Sequence, residues 1–204
     1  MASNTYDFST RWRLPYPAEV VFSLLSDPES LPRWWPSVYL AVETVEPGDD
    51  EGLGRIVRFH TKGWLPYTLQ WSAKTTRVAR PVEIAFDASG DFDGQGRWSL
   101  TPLGPDTEVL FRWQIRAEKP LLRELSFMLR PVFEANHQWA MDRGYESLLL
   151  ELERMHAPDA EARARVRPPP AATPSAELPV LMGAVGAVAL VAGLSTLLGR
   201  RGSR

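Results

Sequence analysis

The sequence predicts an α+β fold in which a curved antiparallel sheet of seven strands closes over one long C-terminal helix. Three observations carry this. Six consecutive segments between Val38 and Glu118 read as strands with no helical stretch between them, so neighbours in sequence pair antiparallel. A seventh strand signal, with two short helical patterns after it, comes before them. Beyond Lys119-Pro120 the apolar period changes from two to that of a helix and holds to Met155, and such a helix buries its apolar face against the concave side of the sheet.

Taken in order, residues 6–14 alternate as a half-buried strand does, and Pro15 and Pro17 end it. Residues 18–26 set Val20, Val21, Leu24 and Leu25 on one helical face; residues 29–35, after Asp27-Pro28, form a second short helix. The six strands fall at residues 38–46, 54–62, 67–79, 82–88, 96–101 and 108–118. Turn clusters such as Pro47-Gly48-Asp49-Asp50 and Asp93-Gly94 separate them, the latter read as a hairpin turn. In the long helix Leu122, Leu125, Leu129, Phe133, Ala140, Leu148, Leu152 and Met155 recur at helical spacing, with a kink or break expected near Pro131. Residues 1–157 thus form one domain, and residues 158–177, rich in Pro, Ala and Arg, are expected to be a semi-rigid linker.

Residues 178–199 run twenty-two positions without a charged side chain and are followed by Arg200, Arg201 and Arg204. A helix of that length is roughly 33 Å long, enough for a hydrocarbon core of about 30 Å. Its polar side chains, Ser195 and Thr196, can bond back to the helix's own carbonyls. The expectation is a single-pass transmembrane helix over 178–199 with a short basic tail, 200–204. Residues 1–14 hold Asp7, Arg11 and Arg13 and no long apolar run, unlike a secretory signal. The expected arrangement is a tail-anchored body on the cytoplasmic side of a membrane.

Composition removes several function classes. Residues 1–156 hold 17 Lys+Arg against 22 Asp+Glu, a net of −5, while residues 157–204 hold 6 against 3, a net of +3. An acidic body argues against nucleic acid as a partner. Cysteine is absent, which excludes thiolate nucleophiles, disulfides and cysteine-ligated metals. The three histidines, His60, His137 and His156, lack metal-site spacing, and alternation puts His60 on an outward face with Arg58 and Lys62. Asp91-Phe92-Asp93-Gly94 opens like a calcium loop, but Pro102 stands where the twelfth-position glutamate belongs. Neither a phosphate cradle nor a nucleophile elbow is present, so no metal and no cofactor are expected. Arginine outnumbers lysine twenty to three, the codon signature of a GC-rich bacterial genome.

The element order, with the segments RWWPSVYL, HTKGWLPYTLQW, GDFDGQGRW and EKPLLRELSFMLRPVFEANHQWAMDRGYESLLLEL, resembles the START-related SRPBCC superfamily. Within it the chain is similar to the polyketide cyclase/dehydrase and lipid transport group, over about residues 5–155. The resemblance implies a helix-grip fold and a hydrophobic cavity between sheet and long helix. It implies no common catalytic motif.

Strand alternation then sets out what faces such a cavity: Leu69 and Trp71, Phe86, Trp98, and Phe111, Trp113 and Ile115, with Leu129 and Phe133 on the helix opposite. Arg112, Gln114 and Arg116 take the outer face. These apolar residues either fill a core or line a partly open pocket for a planar or acyl ligand. His137, beside Asn136, is the candidate acid/base, with Tyr67 or Tyr145 as further polar groups.

Three readings follow, in this order. The first is a membrane-anchored domain that binds, or transfers, a lipid or other hydrophobic small molecule. The second is an enzyme of the polyketide cyclase (aromatase) or dehydratase type. The third is a tethered interaction domain without a ligand.

Overall fold

The computed structural model describes residues 5–117 and 120–174, with side chains for all of these except 117–130. The chain runs β1 (Thr5–Leu14), α1 (Ala18–Leu25), a 3-10 turn (Pro28–Ser30), α2 (Leu31–Trp34), then six strands in succession. These are β2 (Tyr39–Glu46), β3 (Ile56–Lys62), β4 (Thr68–Ala79), β5 (Glu83–Gly90), β6 (Phe92–Leu103) and β7 (Asp106–Ala117). Two helices follow, α3 (Pro120–Met155) and α4 (Ala160–Arg165).

The seven strands form one antiparallel sheet in the order β1-β7-β6-β5-β4-β3-β2. Pairing between sequence neighbours extends the sheet from β2 to β7. The first strand returns to pair with the last, Thr5 opposite Arg116 and Leu14 opposite Thr107. In β7, Val109, Phe111 and Trp113 are buried on one face while Arg112, Gln114 and Arg116 lie on the other. That outer face carries cross-strand ion pairs, Arg11 with Glu108 at 2.7 Å, Arg13 with Asp106 at 2.9 Å and Arg77 with Glu83 at 2.5 Å. Solvent-exposed pairs of this kind contribute little to stability and mainly keep the outer face wet.

Helix α3 lies on the inner face and runs alongside β1 in the same direction. Phe133 packs edge-on against Tyr6, His137 stacks on Phe8, Tyr145 packs on Trp12, and His156 packs on Tyr16. The Tyr145 hydroxyl donates to the Arg13 carbonyl at 2.9 Å. Glycine at 144 lets α3 approach α2, since a Cβ there would lie 2.2 Å from the Trp35 ring. Further along α3 the buried carboxylate of Glu151 is held by Arg33 of α2 and by Arg154 at 2.8 Å. Pro131 sits inside α3, which is assigned as one helix on both sides of it.

One sequence expectation is corrected here. The chain reversal between β5 and β6 lies at Gly90-Asp91, not at Asp93-Gly94. Gly90 has a φ of +132°, which side-chain-bearing residues rarely adopt, and Gly94 sits inside β6 opposite Ile115. There the lack of a Cβ is needed for packing, because one would lie 2.0 Å from the Gln114 carbonyl.

Residues 158–177 are expected to be a semi-rigid linker, and their described part, residues 158–174, packs along the body. Asp159 caps α4, its carboxylate accepting the Ala162 N–H at 2.7 Å. The chain then returns along the body: Arg154 donates to the Arg167 carbonyl at 3.1 Å, and Arg167 pairs with Glu146 at 2.9 Å. At its end Thr173 Oγ1 donates to the Gly63 carbonyl at 3.1 Å and the Thr173 carbonyl accepts from Lys62 Nζ. A composition rich in Pro, Ala and Arg specifies an extended strap, but the hydrogen-bond partners that hold it come from the body. The expected transmembrane helix, residues 178–199, lies outside the described residues; among those described, no helix is long and apolar enough to cross a membrane.

Candidate functional site

Between the inner face of the sheet and α3 lies a cavity of about 260 Å³. It extends along the strands. At one end it meets the loop between β2 and β3 (Glu51, Gly52 and Arg55) and the end of α1 (Ser26). At the other end it meets the start of β1 and β4, the end of β3 and the middle of α3. Hairpin register puts these on one edge, since Lys62 pairs with Thr68, Trp71 with Gly90, and Thr5 with Arg116.

The wall is a continuous aromatic surface. Phe59 stacks on Trp71 at 4.4 Å, Trp71 contacts Trp113 at 5.7 Å, Phe86 contacts Trp113 at 5.5 Å, and Trp98 stacks on Phe111 at 4.0 Å. Glycine at 96 is what admits Phe86, because a Cβ there would lie 2.2 Å from its ring. Flat rings at such spacings gain dispersion contact with one another and present an apolar face to the hollow.

The residues expected on the cavity face come together in this way. Leu69, Trp71, Phe86, Trp98, Phe111, Trp113, Ile115 and Phe133 all line it. Leu129 falls among the residues whose side chains are not described. His137 and Asn136 line the cavity, and so does Tyr67; Tyr145 bonds the β1 backbone instead. Several lining residues escaped the alternation argument, chiefly Tyr6, Phe8, Phe59 and Phe92. The signal for Tyr6 and Phe8 was present, since the even positions of β1 carry the inward side chains. Phe59 was signalled too, since alternation that turns Arg58 and His60 outward turns Val57 and Phe59 inward, whereas Phe92 was missed because the expected strand starts at residue 96 and β6 starts at Phe92.

One polar cluster lies where the end of β3 meets the middle of α3. His137 stacks on Phe8 with centroids 4.1 Å apart, and its Nε2 is buried without a hydrogen-bond partner among the described residues. Burial lowers its pKa from 6.5 to about 4, so the imidazole is neutral at pH 7. Asn136 accepts the Leu65 N–H at 3.2 Å and lies directly over Gly63. Trp71 Nε1 donates to Thr61 Oγ1 at 3.1 Å, a polar contact on the wall. Burial raises the Tyr67 phenol above its ordinary range, with Tyr6 adding to the effect, and burial alone does the same to Tyr39. Both phenols remain protonated.

Lys62, expected on the outward face with Arg58, is only 3% exposed and borders the cavity; burial lowers its pKa. The end of a strand is where alternation loses its hold, and the strap covers this ammonium through the Thr173 carbonyl. No group of three or more His, Cys, Asp or Glu side chains is close enough to hold a metal ion among the described residues.

No curated protein matches the chain. Solved structures match in fold. TTHA0849 from Thermus thermophilus is 19% identical with a TM-score of 0.59, covering 72% of this chain and 99% of its own. The Zhui aromatase/cyclase from Streptomyces sp. R1128 is 19% identical with a TM-score of 0.58, covering 80% and 96%. A START superfamily protein from Mycobacterium smegmatis is 21% identical with a TM-score of 0.50, covering 65% and 97%. At such identities the likeness establishes the fold, an α+β helix grip. Residues 6–153 match the polyketide cyclase/dehydrase and lipid transport family, and the chain therefore belongs to that family.

Proposed function

We propose that this protein binds a lipid or other hydrophobic small molecule in the cavity between sheet and α3, and that residues 178–199 hold it at a membrane. The observation that carries the reading is the aromatic-walled hollow of about 260 Å³ in a core that could have packed solid. An apolar cavity of this kind does not hold water well, so an apolar guest gains on entering it. Polar groups stand at both ends, with Thr61, Lys62, Asn136 and His137 at one and Ser26, Glu51 and Arg55 at the other, and the aromatic wall lies between them, which suits a molecule with an apolar body and polar termini. Support for the anchor is the uncharged run of twenty-two residues over positions 178–199. A lipid-like ligand partitions into the same membrane, which gives tethering a use.

Titration of the full chain in mild detergent with a fluorescent fatty acid and with an aromatic polyketide analogue tests this. At least one should bind, and Ala140→Trp, which places an indole where the cavity is, should weaken binding at least tenfold while the circular dichroism spectrum stays unchanged. Failure of both probes to bind the unmodified protein would sink the proposal.

The second reading, a cyclase or dehydratase acting on a polyketide-like substrate, draws on one observation: the Nε2 of His137, unpartnered among the described residues, in the same cavity wall as Asn136 and Tyr67. A pKa of about 4 makes His137 a weak base at neutral pH, far from the value that suits proton transfer there. It is better suited to hydrogen-bond a neutral polar group than to abstract a proton, and binding is favoured over catalysis. The third reading, an interaction domain without a ligand, has less support than either because it leaves the hollow without a use.

A further inference from the structure

We propose that the loop of residues 63–67, with Trp64 at its tip, docks on the bilayer surface, and that the strap of residues 166–173 holds this end of the cavity against the membrane. The inference rests on the reading of residues 178–199 as a membrane anchor and adds to it the orientation of the pocket.

Four observations converge on one edge of the molecule. Trp64 is 41% exposed on a loop whose other residues include Leu65, Pro66 and Tyr67, an apolar sequence at a turn where polar residues are the rule. An indole with an apolar body and one N–H donor suits the headgroup boundary of a bilayer. The residues flanking the tip, Gly63 and Tyr67, border the cavity, so whatever the loop touches lies beside the cavity's end. Thr173 is fastened to the same place, its hydroxyl on the Gly63 carbonyl and its own carbonyl on Lys62.

The last of these sets the geometry. The apolar run starts at Leu178, five residues beyond Thr173, and five residues reach at most about 18 Å even when fully extended. Without the strap the run would be reached from the end of α3, and twenty or more linker residues would leave the body free to turn. With it, the membrane lies within a short reach of Trp64. The opposite end of the cavity is unsuited to a lipid surface, since Asp49, Asp50 and Glu51 stand there, and Asp50 and Glu51 make no ion pair among the described residues. Acids near the Trp64 end are engaged: Asp91 accepts the Gln70 N–H at 2.7 Å and Asp93 lies 3.7 Å from Arg116. A guest could then pass between bilayer and cavity without crossing bulk water.

The absence of cysteine makes a direct test available, because one introduced thiol is the only labelling site. The full chain carrying Trp64→Cys, or Leu53→Cys as the control, would be labelled with an environment-sensitive NBD fluorophore. It would then be reconstituted in vesicles of phosphatidylcholine and phosphatidylglycerol containing a nitroxide-labelled lipid. Leu53 is 45% exposed and lies beyond the far end of β3, a strand of roughly 20 Å. The probe at 64 should be quenched at least threefold more than the probe at 53 and shifted to the blue. Thr173→Val, which removes one strap bond at a residue that does not itself line the cavity, should reduce quenching at 64 about twofold.

Equal quenching at both positions, quenching at 53 alone, or failure of the full chain to associate with the vesicles would overturn the docking proposal. Unchanged quenching in Thr173→Val would overturn the role of the strap. Fatty-acid binding measured on the same proteins in detergent separates this from the cavity reading: a quenched probe at 64 with no bound fatty acid or aromatic analogue refutes the cavity and leaves the docking face standing, and the converse does the opposite.

Discussion

Replacing His137 by phenylalanine should flatten the acid side of the stability profile. The imidazole lies against Phe8, its Nε2 has no partner among the described residues, and burial takes its pKa from 6.5 to about 4. Between those two values the unfolded chain binds a proton that the folded chain refuses, so stability falls as pH drops through the window. With the folded-state value depressed, His137 costs almost nothing at pH 7, and the loss reaches about 2.5 kcal/mol at pH 4.5 on the linkage relation. Phenylalanine preserves a ring on Phe8, removes a buried polar atom and cannot titrate. The variant should therefore lose about 2 kcal/mol less than the parent between pH 7 and pH 4.5, while the carboxylates contribute equally to both. Urea unfolding of the full chain in mild detergent at the two pH values measures this, and proton NMR of the His137 ring reports its titration directly. Equal losses within about 0.5 kcal/mol, or a ring that titrates near 6.5, would refute the claim that the imidazole is buried in an apolar wall.

Other perturbations follow from the same geometry. Gly96→Val drives a side chain into the Phe86 ring, 2.2 Å from the new Cβ, and should cost about 1–3 kcal/mol by thermal unfolding while reducing probe uptake by the cavity. Glu151→Ala removes a buried carboxylate that joins α2 to α3 through Arg33 and Arg154; Arg33 keeps access to water, so a loss near 3 kcal/mol is expected in urea midpoints, and a loss below about 1 would show the pair to be incidental. Asp159→Ala deletes the cap of a six-residue helix, a change of about 1 kcal/mol confined to the strap. Limited proteolysis between residues 160 and 173 should accelerate several-fold with the global unfolding midpoint unmoved.

Much of the architecture was legible in the chain because its local signals agree with one another. Six strand patterns in a row leave little choice but an antiparallel meander, and the period change after Pro120 marks the helix that must cover it. Alternation in β7 put Phe111, Trp113 and Ile115 on one face with arginines on the other, and the structure has the same division. Where the reading missed, long-range geometry was the reason. Asp93-Gly94 has the composition of a turn, yet the positive φ is needed at Gly90, where two strands reverse over Trp71. Lys62 has the composition of a solvent residue, yet it ends a strand beneath a strap that arrives from more than a hundred residues later.

The class of fold, the inward and outward faces of the strands, the absence of thiol chemistry and the uncharged run at 178–199 can all be read along the chain. Each is a property of spacing or composition, carried by residues near one another in the chain. Three features emerge in the folded chain alone: the core is hollow, Phe8 and His137 meet in its wall, and Thr173 is tied to Gly63 beside Trp64. Those depend on how the sheet curves around α3 and on which side chains arrive at the same point from distant segments. No periodicity records either, because the same apolar alternation serves a packed core and an open cavity equally well.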